Sequence, residues 1–389
     1  RSSIAGMRAV PCSGLSRIAR GRVGRLRSLS SLIAVLAGDG IGTEITSVAE
    51  RVLRIVRPDD TFVAGDVGVL PLERDGTSYP DATHALCARS DAILFGAVGD
   101  PKYDAAPSDK RPEFAILQLR KRFDLFANLR PVKMIAGLED ASSLKPQFVR
   151  SLDLVVVRET TSGLYFGEPR HTRVVDGVET ATDTLIYRAP EVERVARVAF
   201  ELARKRRGRV ASIDKQNVLE TGRLWRRVVI ALHDAEYRDV ELEHVLVDNA
   251  AMQLVRDPQR FDVMLTENTF GDILSDEAGI LTGSLGNLPS ATLGASADGT
   301  KRFGLYEPIS GSAPDIAGKG IANPIAAILS AALLCRYSLA DEPAAARIEM
   351  AVAHAIASGA RTRDIARGDD VALGTTEFGE AVLRGLAGS

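Results

Sequence analysis

From residue 32 onward the chain alternates between short, continuous apolar runs and longer segments in which apolar residues recur every three or four positions. Leu32-Ile-Ala-Val-Leu-Ala37 is too uniformly apolar for a strand with one wet face and predicts one covered on both. Gly38-Asp-Gly-Ile-Gly42 follows, and then Ile45, Val48, Val52 and Ile55 line one face of a predicted helix. Further buried-type runs fall at Ala92 to Phe95, Leu154 to Val157, His244 to Val247 and Val263 to Leu265, separated by amphipathic segments. This order predicts an α/β protein with a mixed sheet. The segment after Pro190 places Val192, Val195, Val198, Ala199 and Leu202 at helical spacing and ends in Arg204-Lys-Arg-Arg207 before Gly208. Basic residues in a last turn ahead of a glycine complement the helix dipole, so no nucleic-acid patch is inferred. The longest apolar run, Ile325 to Leu334, is too short to span a bilayer and predicts a buried helix.

Composition narrows the class. The chain has 389 residues, 45% of them apolar and 26% charged, enough for about two globular domains. A net charge of −2 gives no global attraction to nucleic acid, so anion binding must come from local arginines. Cys12, Cys87 and Cys335 form neither a disulfide framework nor a zinc motif, which points to a reducing compartment. Residues 1–31 differ from the rest, with seven Arg, seven Ser and no acidic residue. They are expected to be a targeting extension or an over-called start, outside the fold.

Four groups of residues carry candidate chemistry. Asp272 and Asp276 lie four apart, so on a helix their carboxylates converge, and a hard cation such as Mg²⁺ or Mn²⁺ would relieve their repulsion. Asp248, beyond the apolar run ending at Val247, offers a third oxygen ligand; an acidic helix start is the competing explanation for the pair. Arg120 closes a predicted helix, while Arg130 and Arg158 close predicted strands. Three guanidinium forks are suited to two carboxylates, although each arginine alone also fits a surface ion pair. Tyr165 and Lys215 are candidate proton carriers, or ordinary polar residues. The stretch from Glu307 through Ser310, Gly311, Ser312, Ala313, Pro314, Asp315 and Ile316 to Asn323 is rich in small residues that admit close approach of a ligand. Asp315 suits ribose hydroxyls and repels a 2′-phosphate, favouring NAD over NADP. Gly38-Asp-Gly-Ile-Gly42 lacks the spacing of a Rossmann fingerprint.

Taken together and in order, these motifs resemble the isocitrate/isopropylmalate β-decarboxylating dehydrogenase family over about residues 32–389. The resemblance rests on Gly38-Asp-Gly-Ile-Gly, Leu119-Arg-Lys, Phe126-Ala-Asn-Leu-Arg-Pro131, Tyr165-Phe-Gly-Glu-Pro169, Asp214-Lys-Gln-Asn217, Val247-Asp-Asn-Ala-Ala-Met252, Phe270-Gly-Asp-Ile-Leu-Ser-Asp-Glu277 and Gly311-Ser-Ala-Pro-Asp315. It implies two α/β domains flanking a cleft, isopropylmalate dehydrogenase-like and not Rossmann. Residues 32–125 and 283–389 would form a cofactor-binding domain, and 126–282 an inserted substrate and dimerisation domain. It also implies a homodimer with shared active sites, no nucleic-acid or membrane partner, and NAD with Mg²⁺ or Mn²⁺ as cofactors.

By the same resemblance, Arg120, Arg130 and Arg158 would hold the malate carboxylates. Asp272 and Asp276 would bind the metal with Asp248 of the other subunit, whose Lys215 would share proton transfer with Tyr165. Ser310 to Ile316 and Asn323 would line the cofactor site. Glu113, Ile116 and Leu117 precede Arg120 in the substrate-selecting region, joined by Val218 from the other subunit. An apolar wall there accepts an isopropyl group and leaves a third carboxylate unpaired, so 3-isopropylmalate and the leucine pathway lead. A tartrate or D-malate dehydrogenase and a catalytically silent paralogue are the alternatives. A cytoplasmic location is expected, or mitochondrion or plastid if the N-terminal segment is a transit peptide. Three positions depart from the family pattern. Thr43 replaces a Pro, Ser162 a Gly, with consequences for the Tyr165 loop if that Gly uses positive φ, and Ser310 a His on the adenine side.

Overall fold

A computed structural model describes residues 30–296 and 299–387; all but the last two residues of the N-terminal extension lie outside that range. Twelve strands are present among the described residues: β1 (Leu32–Gly38), β2 (Thr61–Ala64), β3 (Ala92–Ala97), β4 (Ala127–Lys133), β5 (Asp153–Glu159), β6 (His171–Val175), β7 (Val178–Thr182), β8 (Arg209–Asp214), β9 (Glu241–Leu246), β10 (Val263–Thr266), β11 (Pro289–Ser296) and β12 (Arg302–Pro308). Ten of them make one sheet in the order β2-β1-β3-β12-β11-β4-β5-β10-β8-β9, and β6 and β7 form a separate hairpin.

The sheet is mixed, as the sequence pattern predicts. Its two ends are parallel, while β12, β11, β4 and β5 run antiparallel to one another across the centre. Strands from 32–125 and 283–389 fill one end, and those from 126–282 the other. The all-apolar run of β1 is covered on both faces: Ile33 and Val35 join one core cluster, Ala34 and Leu36 the other. This is the period-two alternation of a strand buried between two layers. The helix Ile325–Tyr337 is buried nearly all round, which explains an apolar run with no amphipathic stripe. No helix among the described residues is long and apolar enough to cross a membrane.

The basic run after Ala189–Arg204 has a more specific cause than the helix dipole. The helix ends at Arg204, which pairs with Asp239. Arg206 lies beyond it and bridges Asp153 and Asp262, while the Arg207 backbone N–H donates to Asp262. These cations stitch the turn to neighbouring strands. Two further expectations shift: Val247 opens the helix Val247–Arg256 rather than ending a strand, and Arg130 lies within β4 rather than closing it.

Candidate active site

Strand register assembles the site. In the antiparallel pair β4·β5, Asn128 stands opposite Arg158, and directly opposed residues share a sheet face. Arg130, two positions along β4, projects to that same face. On the other side of β5, Arg158 is in register with Thr266 at the end of β10, and the helix Asn268–Ile280 starts two residues later. That helix passes very close to β5. A Cβ on Gly271 would lie 2.6 Å from Arg158 Cγ and 2.3 Å from Thr266 Oγ1, so any larger residue would push it away from the arginines.

On this helix Asp272 and Asp276 face the arginines. Arg158 Nη1 donates to Asp272 Oδ1 at 2.6 Å, and its Nε and Nη2 donate to Asn268 Oδ1 at 3.1 and 2.8 Å. Arg130 Nη1 donates to Ser275 Oγ at 2.6 Å and to Asp276 Oδ1 at 3.2 Å, while its Nη2 lies 3.6 Å from Asp272. Its Nε donates to Asn128 Oδ1, whose amide donates in turn to Ser290 and Thr292. Arg120, at the end of the helix Phe114–Arg122, donates to Glu307 Oε1 at 3.2 Å, and its own buried Nε has no partner.

The electrostatics follow from burial. Arg158 is only 2% exposed; desolvation, then the nearby Arg130, pulls its pKa down to about 9, which still leaves it cationic at neutral pH. Burial pushes the Asp272 carboxyl up, but Arg158 and Arg130 outweigh it and hold the group below the usual carboxylate range. Asp276 faces less compensation; burial leaves its pKa raised despite Arg130, and Asp272 adds to that rise. Burial also raises Glu307, against the pull of Arg120.

Tyr165 reaches the same carboxylate from another direction. It ends the turn Gly163–Tyr165 just beyond β5, and its hydroxyl donates to Asp272 Oδ2 at 2.9 Å. Burial and the adjacent Asp272 raise its pKa, so the phenol keeps its proton. Ser162 has φ −133°, an extended conformation open to any residue, so its substitution for Gly does not strain this loop. The positive φ falls on Gly163, at +78°, where a Cβ would stand 2.5 Å from the Tyr187 hydroxyl.

Lys215 and Asp248 follow the parallel strands β8 and β9, which end in register at Asp214 and Leu246. Lys215 donates to Asp248 at 2.6 Å, and Asp248, not Asp272 or Asp276, is its carboxylate. Within one chain the expected sites therefore form two groups. Asp272, Asp276, Arg130, Arg158 and Tyr165 make one, Lys215 and Asp248 the other. No set of three acidic, His or Cys side chains among the described residues is arranged to hold a metal ion. Val218, near Lys215, is 65% exposed. Of the other substrate-region candidates, Glu113 is exposed just ahead of the Phe114–Arg122 helix and Leu117 is half-buried, whereas Ile116 packs partly against the second core cluster.

The small-residue loop lies at the carboxyl end of β12. Its Ser312 carbonyl accepts from Ile41 N at 2.9 Å, and Gly318 N donates to Glu44 at 2.6 Å, so it docks on the start of the first helix. A Cβ on Gly40 would sit 2.0 Å from that Ser312 oxygen, which gives the Gly38–Gly42 turn a packing role. Gly311, Pro314 and Asp315 are exposed, while Ser310, Ser312, Ala313 and Ile316 are half-buried. Asn323 is buried instead: its amide donates to Asn287 and Asp364, and its Oδ1 accepts from Ile325 N at the start of the following helix. Thr43 Oγ1 donates to the Gly40 carbonyl at 3.3 Å.

The spacing of the motifs did not reveal the supports. Asn268, Asn128 and Ser275 hold the two arginines, and Glu307 holds Arg120. Asn128, Ser275 and Glu307 lie inside the motifs read from the sequence without a role assigned to them, and Asn268 stands just ahead of one.

Chemically, this face presents guanidinium groups for carboxylates, paired carboxylate oxygens for a hard cation and a protonated phenol. The chain as a whole is similar to known proteins. Residues 32–382 match the family model described as isocitrate/isopropylmalate dehydrogenase. A 3-isopropylmalate dehydrogenase from Gluconobacter oxydans is 55% identical over 358 residues, covering 90% of this chain and 97% of the relative. One from Nitrosomonas europaea is 52% identical, covering 91% and 99%. Among solved structures, an isocitrate dehydrogenase from Methylococcus capsulatus superposes with a TM-score of 0.81 at 34% identity, over 92% of this chain and 99% of that one. A β-decarboxylating dehydrogenase from Thermococcus kodakarensis gives 0.74 at 35%, over 92% and 96%.

Proposed function

Because the chain belongs to the isocitrate/isopropylmalate dehydrogenase family, we propose that this decarboxylating oxidoreductase converts (2R,3S)-3-isopropylmalate to 4-methyl-2-oxopentanoate and CO₂ with NAD⁺, as a step of leucine biosynthesis. The observation that carries the reading is Asp272 held between Arg158 and Tyr165: a carboxylate holder, a candidate metal ligand and a proton donor meet at one side chain.

The donor set fits Mg²⁺ or Mn²⁺. Asp272 and Asp276 are hard oxygen donors on one helix face, each now balanced by an arginine, and the partner subunit's Asp248 would complete the site. A divalent ion there would polarise the 2-hydroxyl and then the new ketone. Arg120, Arg130 and Arg158 would fix the two carboxylates and so orient C2 for hydride transfer. NAD⁺, when bound, would accept the hydride from C2, and the partner subunit's Lys215 would take the hydroxyl proton. The β-keto acid then loses the C3 carboxylate as CO₂, its bonding electrons passing into the C2–C3 enolate. Tyr165 protonates C3. The loop 310–316 would cover the adenosine end of NAD, with Asp315 on the ribose.

The two-domain division is supported by the sheet, whose halves match 32–125 with 283–389 and 126–282. Assembly as a homodimer is supported by Ile230, Met252 and Val255, exposed on the helices Glu220–Glu236 and Val247–Arg256, and by Val174 and Val178 on the hairpin. Exposed apolar side chains of this size suit an interface. The apolar Leu117 and the exposed Val218 favour an isopropyl substituent over a third carboxylate. A cytoplasmic enzyme is the matching location. The test is a panel of isopropylmalate, D-malate, tartrate and isocitrate with NAD⁺ or NADP⁺ and Mn²⁺. Preference for isopropylmalate and NAD⁺ is expected; faster turnover of D-malate overturns the substrate, and tight NAD⁺ binding without turnover of any substrate overturns the enzyme reading.

A further inference from the structure

Asn268 sits where the two halves of this chemistry meet. It is 1% exposed, and both its side-chain polar atoms and its backbone N–H have partners. Oδ1 accepts from Nε and Nη2 of Arg158, Nδ2 donates to the Ser162 carbonyl at 2.9 Å, and the backbone N–H donates to Tyr187 at 2.8 Å. The orientation of the amide follows from chemistry, since a guanidinium only donates and a carbonyl only accepts.

Two consequences follow. The Nε edge of a buried arginine is an ordinary place for a carboxylate, yet here a neutral amide fills it. Arg158 already faces one anion, Asp272. That carboxylate offsets its single positive charge, so a second carboxylate would leave the buried group net negative and repel a substrate carboxylate. The amide holds the fork in place without adding that negative charge. The same side chain also anchors Ser162, three residues before Tyr165, and Ser162 N is tied from the other side by Glu159 at 2.9 Å.

We propose that Asn268 is a positioning residue for the oxidative decarboxylation described above. It orients Arg158 without adding a second negative charge beside it, and it sets the loop that aims Tyr165 at Asp272. The inference rests on the isopropylmalate reading of the site.

The test compares Asn268→Asp and Asn268→Ala with wild type, measuring KM for isopropylmalate and for NAD⁺ separately, together with thermal unfolding. Supporting groups around a charged site typically contribute about 10–100-fold. KM for isopropylmalate is expected to rise by that factor in both variants, with KM for NAD⁺ unchanged within about twofold. The Asp variant should be no better than Ala although it keeps an acceptor for Arg158, because it adds the charge the site excludes. Wild-type KM for isopropylmalate in either variant overturns the proposal. So does a parallel loss for NAD⁺, which would mean general loosening. If the Asp variant does not fold, the Ala variant decides by the same two criteria. Absence of isopropylmalate turnover in wild type would instead defeat the functional reading itself.

Discussion

The hydroxyl of Tyr165 donates to Oδ2 of Asp272 at 2.9 Å, joining the turn after β5 to the helix after β10. A phenol kept protonated against a carboxylate is placed to give its proton to a carbon nearby. Tyr165→Phe should therefore lower kcat by about 10²–10⁴-fold, the usual contribution of a general acid, with KM for isopropylmalate little changed. Steady-state kinetics check this, and an unaltered kcat removes Tyr165 from the proton path.

A second prediction concerns the turn before the first helix. Gly38 has φ +72°, and a Cβ there would lie 1.9 Å from the Ala97 carbonyl oxygen. Left-handed backbone costs an L-residue about 1–2 kcal/mol, and the clash adds to it. Gly38→Ala should lose more than about 2 kcal/mol of stability, read from urea midpoints. A variant as stable as wild type would show that the turn tolerates a side chain.

Stability should also depend on pH through His244. Both of its ring nitrogens are buried without a partner, and burial, then Arg226, hold its pKa below the ordinary 6.5. The folded chain then binds fewer protons than the unfolded chain just under pH 6.5. By linkage this contribution is present above that pH and is lost as the pH falls through it. The urea midpoint of wild type should drop between pH 7.5 and 5.5, and His244→Leu should drop less. Equal drops in both would assign the pH dependence to other groups.

Much of this was legible in the sequence because local rules and tertiary packing agree. The run Leu32–Ala37 had to be a doubly covered strand, and the spacing of Asp272 and Asp276 had to bring both to one helix face. Other features were not legible because they belong to register. Nothing in the linear order says that Asn128 stands opposite Arg158, or that Thr266 delivers Asn268 to the same arginine. Arg130 was expected to close its strand, yet β4 continues through Pro131 to Lys133, so Arg130 emerges mid-strand. The basic run at 204–207 needed the positions of Asp153, Asp239 and Asp262 before its ion pairs could be seen. Nor does the linear order show that the side-chain amide of Asn323 meets Asn287 and Asp364.

The central claim is that each active site combines Asp272 of one subunit with Asp248 of the other, and mixing two inactive enzymes tests it most directly. Asp272→Asn and Asp248→Asn are each expected to abolish Mn²⁺-dependent turnover of isopropylmalate while leaving the fold intact. In a heterodimer of the two, one site lacks both carboxylates and the other keeps both. Refolding the variants together should restore up to about a quarter of the wild-type rate, from random pairing in a two-fold dimer. Mixtures no more active than either variant alone would contradict a site shared between subunits.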